Sequence, residues 1–194
     1  AAGQMRDAQH HLQLNARTNE DVPSLLLTAK AYLNLPSPTA ADAAEAVTSA
    51  KRALELAAPQ SEAATSAEEA KPSQTFMMAR CQHVVGCALG LAAVHAPSAI
   101  DRTRLQSEAL EALRAAAAAE PHDHRLHYDL ALQLAQSGHW EDAESALQIA
   151  LQRSDGLHGA SWRLLTIIKS RGGSTEALQS ALKICDQGLT SVAE

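Results

Sequence analysis

Apolar residues recur at three- and four-residue spacing along most of the chain, in stretches separated by short polar breaks. HRLHYDLALQLAQ carries this helical pattern, a Ser-Gly break follows, and WEDAESALQIALQR carries it again. The stretches come in pairs, so the chain predicts helix–turn–helix units. First members lie at about 22–35, 75–95, 124–136 and 158–171, each followed by a second such as EAVTSAKRALEL or EALQSALKICDQGL. Asp21 and Ser174 stand where N-caps belong. One stretch interrupts the pattern: PQSEAATSAEEAKPS (59–73) is polar and acidic without an apolar stripe, and predicts a flexible insertion.

The pairs repeat at a fixed interval. Gly138 and Gly172 are 34 residues apart, as are Ala143 and Ala177, and Leu147 and Ala181. Ala109, Leu113 and Ala116 precede Ala143, Leu147 and Ala150 by the same interval, and Pro121 sits where a proline separates such units. Further back, EAVTSAKRALEL supplies Ala46, Ala50 and Ala53 in the same order, and Gly3, Ala8 and Leu12 match Gly138, Ala143 and Leu147 in register. A 34-residue helix–turn–helix period is that of tetratricopeptide repeats. The expected fold is therefore an all-α superhelix, a solenoid of about four and a half repeats. Residues 1–58 would hold a half repeat and one full repeat, 59–73 the insertion, and 74–194 three more repeats. The structural positions of the repeat are Ala8, Ala29, Ala46, Gly86, Ala109, Ala131, Gly138, Ala143, Gly172 and Ala177, with Thr166 at a one-residue slip. Most of these small residues let paired helices approach closely. A start at the turn of a repeat predicts a piece of a longer solenoid; an Ala-Ala start also suits a secreted chain cut after its signal.

Composition sharpens this picture. Apolar residues are 46% of the chain but aromatic ones only 3%, too few rings to fill a sandwich or barrel. Much of the apolar fraction is alanine, the best helix former and a poor strand former. A net charge of −6 excludes the basic face of a nucleic-acid binder. The longest apolar run, 84–94, is about half a bilayer span and predicts a buried helix, so no direct membrane insertion is expected. Three cysteines (Cys81, Cys87, Cys185) form no even framework and fit reduced thiols in a cytosolic protein.

Candidate chemistry is sparse. His122, His124 and His127 spell H-x-H-x-x-H, but they fall at a repeat junction with only Asp123 beside them, which predicts a solvated turn and no metal. Cys81, His83 and Cys87 share a helix, with the two thiols facing different directions and buried or half-buried. His10 and His11 are expected at the surface. No phosphate loop, nucleophile elbow or zinc-protease motif is present, so neither catalysis nor a cofactor is expected. Trp140 has the place of a packing aromatic. Binding would use the concave face lined by first helices, with Arg125, Tyr128, Leu132, Gln136, Trp162 and Lys169 as candidates. Tyr128 and Leu132 occupy places where chaperone-tail receptors need lysine and asparagine, so the lining suits a folded partner or a helix in a groove.

The order of blocks resembles one family more narrowly. LQSEALEALRAAAAAEPHDHRLHYDLALQLAQSGHWEDAESALQIAL, then SWRLLTIIKS and EALQSALKICDQGL, is similar to the C-terminal repeats of the tetratricopeptide-repeat domain 7 family. Upstream, DVPSLLLTAKAYLNL with EAVTSAKRALEL, the acidic insertion, and VVGCALGLAAVHAPSAIDRTRL resemble the family's blocks in the same order. The resemblance implies a non-enzymatic scaffold subunit of the plasma-membrane phosphatidylinositol 4-kinase complex. Its implied partners are the kinase, a hyccin-type subunit and a lipid-anchored membrane protein, and its implied place is cytoplasmic, peripheral to the plasma membrane. The related plant no-pollen-germination proteins imply calmodulin as a further partner, for which AKRALELA (50–57) is a faint candidate. The alternatives are a generic tetratricopeptide adaptor and a solenoid supporting a catalytic domain elsewhere in a longer protein.

Overall fold

Local capping chemistry sets where the helices begin. In the computed structural model, residues 21–58, 72–171 and 175–193 are described. Among them are eight helices and no strand, as the all-α expectation requires. Helix α1 (Val22–Leu33) starts where the Asp21 carboxylate accepts the Ser24 N–H at 2.7 Å. Helix α2 (Ala40–Ala57) opens on a reciprocal Thr39–Asp42 capping box. Helix α3 spans Pro72–Val94, and helix α4 (Ala99–Ala119) begins after Ser98, whose hydroxyl accepts from the Asp101 N–H at 3.0 Å. The later helices are α5 (His124–Gln136), α6 (Trp140–Arg153), α7 (Gly159–Ser170) and α8 (Thr175–Ala193).

The chain divides into two compact units, residues 1–119 and 120–194, which break just before Pro121. In the first unit α1 packs on α2, α2 on α3 and α3 on α4, and the two first helices α1 and α3 also touch. Its core joins Leu25, Leu26, Ala29 and Tyr32 to Ala46, Ala50, Ala53, Cys81, Val84, Val85, Leu89 and Ala109. The second unit repeats the scheme: α5 on α6, α6 on α7, α7 on α8, and α5 against α7. Leu126, Leu134, Leu147, Leu151, Leu165 and Ile168 are buried there.

The positions expected to be small are the tight ones. Ala29, Ala46, Ala109, Ala131 and Ala143 have no exposed surface, and Ala177 is half-buried. Gly86 of α3 lies against Leu113 and the Ala109 carbonyl of α4. Gly138 ends α5 with φ +83°, and its neighbour His139 donates to Leu134 O at 2.9 Å. That bond and the Gly138 N–H to Ala135 O form a Schellman motif, which needs the left-handed residue. Thr166 is a correction. The buried place 34 residues after Ala131 belongs to Leu165, and Thr166 is half-buried with its hydroxyl donating to Trp162 O at 2.9 Å. Ala8, Gly172, Ser174, His10, His11, Leu12 and nearly all of the 59–73 insertion lie outside the described residues.

Helix α3 also revises the reading of its apolar run. Residues 73–94 are long and apolar enough to cross a membrane by length and composition, because the helix extends well before residue 84. Half of that stretch is buried in the first unit, where Cys81, Val84, Val85, Ala88 and Leu89 are core.

Candidate interaction surface of residues 120–194

The expected binding residues of α5 follow its helical repeat. Arg125, Tyr128, Leu132 and Gln136 fall at three- and four-residue steps and so share one face. Arg125 and Gln136 are exposed, Tyr128 and Leu132 half-buried. Gln136 Oε1 accepts from Gln133 Nε2 at 3.0 Å, which fixes the last turn of that face.

The candidates on α7 also make contacts within the second unit. Trp162 is half-buried and donates its indole N–H to Gly156 O at 2.8 Å. Its ring lies so close to Gly188 of α8 that a Cβ there would stand 2.8 Å from Trp162 Cγ. Trp162 therefore seals the α7–α8 hairpin. Lys169 is bound across to α6, with Nζ 2.5 Å from Glu144 Oε1. Thr166, Arg163 and Cys185 join Trp162 around an open hollow of 320 Å³.

Two other expectations change. Trp140, placed in the core by sequence, is half-buried with the Arg171 guanidinium 3.2 Å above its ring. That cation–π contact ties the start of α6 to the end of α7. The histidine run is not a solvated turn throughout. His122 is exposed, but His127 is buried with Nε2 3.1 Å from Pro121 O. His124 packs edge-on to His158, ring centroids 5.0 Å apart, and Tyr128 packs on the same imidazole at 4.9 Å.

His158 is the centre of that cluster and went unnoticed in the sequence. It precedes α7, and its Nδ1 lies 2.7 Å from the hydroxyl of the fully buried Ser161. Burial holds its imidazole below the usual 6.5, His124 and Arg125 push the same way, and Asp129 opposes them. The folded chain thus favours neutral His158, while the unfolded chain takes up the proton at higher pH. Stability is complete above 6.5 and falls as pH drops from there through the lowered folded value. Thermal melts between pH 7 and pH 5 should show this loss, and His158→Gln should make the slope shallower. An unchanged slope in the variant would remove His158 as its source.

Both basic residues of the calmodulin candidate have acidic neighbours. Lys51 lies 3.3 Å from Glu108 of α4, and Arg52 lies 3.1 Å from Glu55. Cys81 is buried, Cys87 half-buried and Cys185 exposed, and none of the three is in a disulfide. Burial raises the Cys81 thiol above its ordinary pKa and keeps it protonated.

Comparison with known proteins agrees with the fold. A family model described as tetratricopeptide repeat matches residues 103–182. The crystal structure of MamA superposes with a TM-score of 0.63 at 18% identity, covering 97% of this chain and 89% of that one. MamA from Desulfovibrio magneticus RS-1, residue 41 to its end, gives 0.63 at 20% identity, covering 97% and 86%. No curated protein matches the sequence. At these identities the likeness to MamA concerns the fold alone. Paired helices, a 34-residue period and the family match together identify a tetratricopeptide-type domain of the all-α class.

Proposed function

We propose that this chain is a non-catalytic scaffold that binds protein partners, and that it serves a phosphatidylinositol 4-kinase complex at the plasma membrane. The observation that carries the scaffold reading is the α5 face. Arg125, Tyr128, Leu132 and Gln136 stand together on a first helix of a tetratricopeptide-type hairpin, with a mixed apolar and polar lining. The narrower reading rests on the order of sequence blocks shared with the tetratricopeptide-repeat domain 7 family. On that reading the partners are a hyccin-type subunit, the kinase and a lipid-anchored membrane protein. The chain would act on the cytoplasmic side, held at the membrane through those partners. Several moderate surfaces on one scaffold raise the local concentration of kinase and anchor together.

The test is capture of the purified hyccin-type subunit and of the kinase on immobilised chain. Both should be retained, and Leu132→Asp with Tyr128→Ala should release at least one while the far-ultraviolet helix signal stays intact. Failure to retain either overturns the lipid-kinase reading. Retention that the variant leaves unchanged overturns the α5 face.

A further inference from the structure

The loop between α1 and α2 carries a dipeptide found nowhere else in the chain. Of the seven prolines in the sequence, only Pro38 directly follows a serine or threonine. Its Ser37-Pro38 pair lies within residues 34–39, NLPSPT, outside both helices. Ser37 is exposed, and its hydroxyl makes no hydrogen bond among the described residues. Other loop hydroxyls are engaged. Thr39 Oγ1 donates to Asp42 Oδ2 at 2.7 Å, and Ser98 Oγ donates to Asp101 Oδ2 at 2.7 Å. The backbone at Ser37 is equally free. Asn34 N–H reaches Lys30 O and Leu35 N–H reaches Tyr32 O, and the next backbone–backbone bond along the chain is Ala43 N–H to Thr39 O. Residues 36–38 therefore hold no backbone hydrogen bond among the described residues, so this stretch can be drawn out without breaking one. Pro38 also turns Ser37 away from helical backbone and toward the extended form that a kinase cleft takes up.

We propose that Ser37 is the phosphoacceptor for a proline-directed serine/threonine kinase. Such a kinase selects the residue after the acceptor for its fixed φ and missing N–H, which Pro38 supplies. No lysine or arginine lies between Lys30 and Lys51, so a kinase that reads basic residues has nothing to recognise here. In the transfer, Ser37 Oγ attacks the γ-phosphorus of ATP and its proton passes to the kinase's catalytic aspartate. The bond from that phosphorus to the β–γ bridging oxygen breaks, and ADP leaves. The product carries about two negative charges at pH 7. The fold can carry them. Ser37 stands two residues before the Thr39 N-cap, at the positive end of α2. The Ala40 and Ala41 N–H groups there are exposed and have no acceptor among the described residues. Asp42, the acidic residue of that first turn, has its carboxylate on the Thr39 N–H and hydroxyl. For its cytoplasmic setting, where kinase and ATP meet the chain, this site rests on the function proposed above.

The test incubates the whole folded chain with a purified mitogen-activated protein kinase and ATP, and locates phosphate by mass spectrometry. One phosphate, on Ser37, is expected. Ser37→Ala should abolish it, and Ser37→Thr should still accept it. Pro38→Ala should slow incorporation by about tenfold or more while leaving the acceptor in place. These positions are exposed or half-buried in a loop, and circular dichroism confirms that each variant is folded. The phosphorylated chain should melt no lower than the unmodified one. Absence of incorporation, phosphate only at other residues, or a rate indifferent to Pro38→Ala overturns the proposal. A melting point lowered by phosphorylation also overturns it, because the loop could then not carry the charge within the fold. Partner capture through Leu132 with no phosphate on Ser37 would leave the scaffold reading standing and reject this site alone.

Discussion

Gly86→Ala is expected to destabilise the folded chain by about 1–3 kcal/mol, although alanine in a helix interior normally gains about 1 kcal/mol over glycine. The reason is the approach of α3 to α4. A Cβ at position 86 would stand 2.5 Å from Leu113 Cγ, 3.0 Å from Leu113 Cδ2 and 3.1 Å from Ala109 O. Leu113 has no exposed surface, so its branch point has no free space to enter, and the Ala109 carbonyl belongs to the backbone of α4. Relief must come from separating the helices, which loosens the rest of their shared packing. Leu113→Ala alone should cost about 2–5 kcal/mol by opening a cavity. The double variant carries the decisive sign: the added methyl enters the space that leucine vacates, so the combined loss should fall below the sum of the two. Urea unfolding of the four proteins measures this directly. Simple additivity would mean that Gly86 is not held by Leu113.

Gly86 also shows what the sequence made legible. The places of Ala109 and Ala143, 34 residues apart, follow from the period, because each repeat must bring its helices together at the same point. Gly86 stands 45 residues before Ala131, off that interval, and is legible only as a small residue in the apolar run of a first helix. The Asp21 cap was legible from local chemistry, since its carboxylate binds the N–H three residues ahead, within one turn of chain. The candidate site was legible only on α5, where a single helix fixes which residues share a face. Contacts between elements were not. Trp140 under Arg171 joins residues 31 positions apart, and His158 between His124 and Tyr128 joins residues about as distant. Neither pairing recurs in the other repeats, so periodicity gives no warning of it. The stretch around residue 80 of α3 shows a different limit. The helix itself was legible at about 75–95, but the uninterrupted apolar run 84–94 understates how apolar the whole helix is, because apolar residues continue through polar positions before it.

Trp162→Ala should be the most disruptive single change in the second unit outside its aliphatic core, at about 2–4 kcal/mol. A fully buried tryptophan costs about 3–5 kcal/mol on truncation. Trp162 is only half-buried, which lowers that figure, but it also gives up the 2.8 Å bond to Gly156 O. The bonded carbonyl lies in the turn after α6, where Asp155 and Gly156 both have positive φ, so the indole also braces a conformation that few residues adopt. Gly188→Ala attacks the same joint from the other side, since its Cβ would lie 2.8 Å from Trp162 Cγ and 2.9 Å from Trp162 Cβ. Overpacking there should cost about 1–3 kcal/mol, and only part of it is relieved once Trp162 is alanine, which removes Cγ but keeps the Cβ at 2.9 Å. This decides how a partner-binding experiment is read. Lost binding in Trp162→Ala reports an opened α7–α8 hairpin, whereas Leu132→Asp alters a half-buried position on α5 and leaves that hairpin closed. If Trp162→Ala kept wild-type stability in urea and still lost its partner, the indole would be a contact residue and its packing role would be refuted.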